Sequence, residues 1–76
     1  MIEIAPVTTR KEYMSLDNAK LYQLFFECNG KGWRFPLESE MEAFSYIPCS
    51  IGWIWTQEKI DNEEYILYDV ILVRDI

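Results

Sequence analysis

Apolar and polar positions change period along the chain, and the changes mark its elements. Ile2 and Ile4 alternate with Glu3, a period of two that predicts a short strand ended by Pro6. Residues 8–13 are mostly polar and read as a loop. Ser15 suits a helix N-cap, and Asp17 suits the positive end of the helix dipole. Leu16, Ala19, Leu21, Tyr22, Leu24, Phe25, Phe26 and Cys28 then form a wide apolar set at helical spacing. That width predicts a helix buried on most of its sides. Asn29-Gly30 stops it, because glycine accepts the left-handed conformation of a C-terminal cap.

A second helix is predicted over residues 37–46. Pro36 sits at its entry, Glu38, Glu40 and Glu42 load its N-terminal half, and Pro48 limits its end. Leu37, Met41 and Phe44, at i, i+4 and i+7, form its inward stripe. Residues 51–58 read as a strand with Trp53 and Trp55 on one face and Ile54 and Thr56 on the other. Residues 59–63 read as a turn. Residues 65–74 are rich in β-branched and aromatic side chains and predict one long strand, or two joined by a kink near Asp69. The order is β-α-α-β-β(-β). Helices segregated from strands indicate an α+β fold, two helices packed on a small antiparallel sheet.

Length and composition agree with one domain over residues 1–76. A chain this short buries only about 60% of its unfolded surface, so it needs bulky side chains. Three Trp, five Tyr and four Phe supply them. Thirteen acidic against seven basic residues leave a net charge of −6, and no basic stripe is present. Direct nucleic-acid binding is therefore not expected. Residues 1–6 carry no basic region followed by an apolar run, and no apolar stretch nears the ~18 residues of a membrane span. A cytoplasmic location is expected, with Cys28 and Cys49 as free thiols.

Four segments occur in a telling order. The first helix is followed by Gly32-Trp33-Arg34-Phe35-Pro36 with Glu40-Met41 downstream. Gly52-Trp53-Ile54-Trp55-Thr56-Gln57-Glu58 and Leu72-Val73-Arg74-Asp75 complete the series. The set, spanning about residues 15–75, resembles the C-type-lectin-like fold. It is most similar to the bacterial and phage branch, which holds lectin-like surface domains and sulfatase-modifying, formylglycine-generating type domains. The resemblance implies that Pro36 sets the entry to helix 2 and Trp33 plugs the gap between helices and sheet. It implies that Arg34 and Arg74 pair with Glu40 or Asp75, and that the last strand pairs with the first. The departures are equally specific. Leu37 replaces the usual Thr after Pro, Leu16 stands at the expected aromatic, and Gln23 and Leu72 occupy half-cystine positions. The loop region that carries ligands in lectins is almost absent.

Chemistry is sparse. There is no histidine, which excludes Ser-His-Asp and Cys-His catalysis. Two cysteines do not make a zinc site, and the lectin calcium triplets are missing. Asp61, Asn62, Glu63 and Glu64 read as a solvated turn. Glu38, Glu40 and Glu42, spaced by two, point to different helix faces. No enzyme, cofactor or metal is expected. The aromatics exceed what a small core needs: Trp33 and Trp55 are assigned to the core, and Trp53, Tyr65 and Tyr68 to a candidate protein-interaction surface. The expected function is a small protein-binding or regulatory module, a phage or mobile-element accessory protein acting on a host protein. One alternative is an acidic nucleic-acid mimic using Glu38, Glu40 and Glu42. Another is a homodimer formed through an exposed strand edge.

Overall fold

The computed structural model describes residues 1–44, 54–62 and 66–76. Its strands are β1 (Ile2–Ile4), β2 (Lys11–Met14), β3 (Tyr68–Val70) and β4 (Val73–Asp75); its α-helices are α1 (Leu16–Phe25) and α2 (Gln57–Asp61). 3₁₀ segments cover Val7–Thr9 and Glu38–Phe44. The fold is α+β, with two antiparallel pairs, β1–β4 and β2–β3.

The apolar C-terminal run is the centre of the molecule. β4 pairs with β1 through Ile2↔Asp75, Glu3↔Arg74 and Ile4↔Val73. On its other side Arg34 and Val73 exchange backbone hydrogen bonds of 2.7 and 2.8 Å. β3 lies between β2 and Ile54, which bridges in parallel to Asp69. Side chains along this run alternate. Tyr68, Val70 and Leu72 pack with Trp33, Trp55 and Ala19 on the α1 side, whereas Ile71 and Val73 pack with Met41, Phe44 and Ile54. The period of two thus builds one core layer on each side of a single segment.

Several expected boundaries shift, each for a physical reason. α1 starts on its Ser15 cap, whose side chain accepts from the Asn18 N–H at 3.3 Å, but it ends at Phe25. Asn29 and Gly30 (φ 53° and 102°) form a separate turn in which the Cys28 N–H donates to the Gly30 carbonyl. The expectation that α1 is buried on most sides is corrected. Only Ala19 is fully buried, and Leu21, Leu24 and Phe25 face outward. The wide apolar set is two stripes on opposite sides of the helix.

The second predicted helix is the 3₁₀ segment Glu38–Phe44, with residues 45–46 outside the described residues. Three residues per turn bring Met41 and Phe44 into register, and both are buried. The polar loop over residues 8–13 is instead a 3₁₀ turn followed by β2, whose pairing to β3 overrides its weak local signal. Residues 51–53 of the predicted Trp-rich strand lie outside the described residues. Its remainder gives one bridge at Ile54 and then α2, N-capped by Thr56, where a turn was expected. The long C-terminal strand is two strands, broken at Ile71-Leu72 rather than near Asp69. That break lets the run change partners from β2 to β1.

Candidate protein-interaction face

The predicted surface residues distribute unevenly. Trp53 and Tyr65 lie outside the described residues. Tyr68 is a core residue, 8% exposed, with its ring edge-on to Trp55 at 4.8 Å and the Lys59 ammonium 4.3 Å from its centroid. Its assignment to a partner surface is therefore corrected: in the alternation of β3 it shares the inward side with Val70 and Leu72. Trp33 and Trp55 are buried, as expected. The Trp33 indole N–H donates to the Cys28 carbonyl at 3.1 Å, and that of Trp55 to the Met14 carbonyl at 2.8 Å.

The three glutamates diverge. Glu40 turns inward and accepts from both terminal nitrogens of Arg34 at 2.9 Å and from the Leu37 N–H at 2.8 Å. The guanidinium holds the Glu40 carboxyl down at about 2, and the two carboxylates raise the Arg34 pKa. Arg34 also binds Asp75 at 2.9 Å, lowering its pKa in the same way. Arg34 thus pairs with both acids the resemblance offered it. Arg74 pairs instead with Glu3 at 2.7 Å, donates to the Asn29 carbonyl and covers the Trp33 ring. Glu38 and Glu42 stay exposed. An acidic surface built on all three glutamates is reduced to two.

The face that sequence reasoning missed is the outer side of α1. Leu21, Leu24 and Phe25 are 54%, 68% and 76% exposed. At i, i+3 and i+4 they form one stripe, opposite the inward Leu16, Ala19, Tyr22 and Phe26. The signal was present as two interleaved helical stripes, whose combined width predicted burial on most sides. Beside the stripe runs a shallow groove of about 710 Å³ between α1 and residues 8–14. Tyr22 and Phe26 contribute to it, their tilted rings packed with centroids 5.3 Å apart. The Tyr22 hydroxyl donates to the Thr9 carbonyl at 2.7 Å, tying α1 to the opposite wall, and burial raises its pKa. Lys11, on that wall, stands 5.8 Å from the Tyr22 ring.

Among the described residues, no group of three or more Cys, Asp or Glu side chains is placed to hold a metal ion. None of the described helices is long and apolar enough to cross a membrane. Comparisons with protein-family models, with curated proteins and with solved structures found no match.

Proposed function

We propose that this chain is a small non-enzymatic protein-binding module that docks through the outer stripe of α1 and the groove beside it. The observation that carries this reading is the exposure of Leu21, Leu24 and Phe25 together on one helix face. Single exposed apolar residues are ordinary, but a contiguous apolar patch beside a groove marks an interaction surface. The α1 backbone is held by the Ser15 cap and the Gln23 amide, which donates to the Trp33 carbonyl at 2.8 Å. The stripe therefore sits on an element anchored to the core, and docking need not order a loop.

The test compares wild type with a Leu24→Ser/Phe25→Ser variant in affinity capture from bacterial lysate at low and high salt. Both side chains point to solvent, so thermal unfolding is expected to stay within about 0.5 kcal/mol of wild type. Capture of a defined protein is expected to survive high salt and to vanish in the variant. Capture that instead disappears with salt and in Glu38→Gln/Glu42→Gln would replace this reading with acidic mimicry.

A further inference from the structure

We propose that the occupant of the α1 face is an amphipathic helical segment of another protein, its apolar ridge bordered on both sides by carboxylates. This rests on the docking reading above and names the chemistry of the partner. The chain has seven basic residues. Five are engaged within the fold: Arg10 with Glu12 and Asp69, Lys31 with Glu27, Arg34 with Glu40 and Asp75, Arg74 with Glu3, and Lys59 with the Ile54 carbonyl. The other two, Lys11 and Lys20, are exposed and have no carboxylate partner among the described residues. Both border the apolar stripe, on opposite sides. Lys11 stands on the far wall of the groove. Lys20 precedes Leu21, and at 100° per residue it falls on the edge of α1 away from Asn18 and Tyr22.

The local charge differs from that of the whole molecule. Around the stripe the Lys31–Glu27 pair cancels, and Lys11 and Lys20 outnumber Asp17, on a chain of net charge −6. An apolar ridge between two cations is the complement of a helix with apolar residues at i, i+3 or i+4 and i+7 and acids on both shoulders. Flanking charges of this kind set partner choice in paired helices. The ten residues of α1 span about 15 Å, enough to face roughly three turns of such a segment.

A second copy fits less well. The exposed parts of two leucines and a phenylalanine amount to on the order of 350 Å² per copy. Stripe against stripe would thus bury on the order of 700 Å², short of the ~1,000 Å² of a specific interface. It would also bring two lysine-bordered faces of the same sign together. A segment seated in the groove covers the walls as well as the stripe.

The experiment titrates the full chain with two labelled 14-residue amphipathic peptides by fluorescence anisotropy in 0.15 M salt. The peptides share one leucine ridge and differ only in Glu or Lys flanks. At this ionic strength the Debye length is about 8 Å, so the lysines at the face dominate over the distant acidic surface. The Glu-flanked peptide is expected to bind about tenfold more tightly, and Lys11→Glu/Lys20→Glu to invert that preference. Leu24→Ser/Phe25→Ser is expected to abolish both. Equal affinity, or preference for the Lys-flanked peptide, overturns the acidic partner. The docking reading survives that result if the serine variant still loses binding. Binding of neither peptide overturns the acidic partner too, and the lysate capture then decides the docking reading separately.

Discussion

Arg34 shows how one side chain decides the fate of its neighbours. It lies on the strand-like segment beside Val73, and its guanidinium reaches both the 3₁₀ helix and the last strand. Glu40 receives two charge-assisted bonds in a fork geometry and a third from the Leu37 N–H, so its charged form is favoured. Its carboxyl is held at about 2, against an ordinary 4.5. A carboxyl whose folded pKa is depressed contributes stability above its unfolded pKa and loses it as pH falls toward the folded one. The window is thus from about 4.5 down to about 2. The side chain is 17% exposed, so solvent screens part of the effect. Glu40→Gln is expected to cost on the order of 2 kcal/mol at pH 7. The gap to wild type should close as pH falls through that window, and urea unfolding at pH 7, 4 and 2.5 measures it. A constant gap across pH would mean that packing, not charge, carries the role of Glu40. The Glu40–Arg34 pairing was among those the lectin-like resemblance implied. The inward turn of Tyr68 was not legible in the sequence, because the unbroken run Val70-Ile71-Leu72-Val73 hides which residues alternate inward.

Elements began where their chemistry required and ended where packing allowed. Ser15 and Thr56 cap the two α-helices, whereas Gly30, read as the stop of α1, sits in a separate turn five residues beyond its end. The two hydroxyls accept from the N–H three residues on, and Gly30 takes φ 102°. Ser15→Ala removes the side-chain acceptor at the start of a ten-residue helix and is expected to cost about 1 kcal/mol. Ser15→Asp should restore most of it, since a carboxylate there also meets the positive end of the helix. Chemical denaturation followed at 222 nm checks both, and an unchanged midpoint for alanine would show that packing of Tyr22 and Phe26 alone holds α1. β2 had no such local mark. Lys11, Glu12 and Tyr13 are exposed, and Tyr13 takes φ 54° at a bulge, so the strand exists only through its pairing with β3. α2 shows the converse. Thr56 caps it and Glu58 lies in its first turn, although residues 51–58 read as a strand and residues 59–63 as a turn. In α1 the spacing was correct and the count misled, because six apolar positions in ten residues serve two faces.

At the scale of the whole molecule, closure depends on residues about seventy positions apart in sequence. β1 and β4 join the two ends of the chain, and Arg74 is the side chain that ties them. It forms a two-pronged contact to Glu3 through Nε (3.0 Å) and Nη2 (2.7 Å), reaches the Asn29 carbonyl at 3.0 Å and lies 4.3 Å over the Trp33 ring. The Glu3 pair alone is half-exposed and worth little. The combination joins the first strand, the turn after α1 and the central core residue. Lysine keeps the charge but loses the fork and the planar stacking surface. Arg74→Lys is therefore expected to destabilise by about 1–2 kcal/mol, where Glu3→Gln costs less than about 0.5 kcal/mol. Both core layers share the segment over residues 68–75, so unfolding should stay a single transition in the variant. Tryptophan fluorescence and far-ultraviolet circular dichroism would then give the same lowered midpoint. Two separated midpoints would show instead that the β1–β4 side opens independently of the α1 side. Arg74 would then guard one half of the molecule rather than its closure.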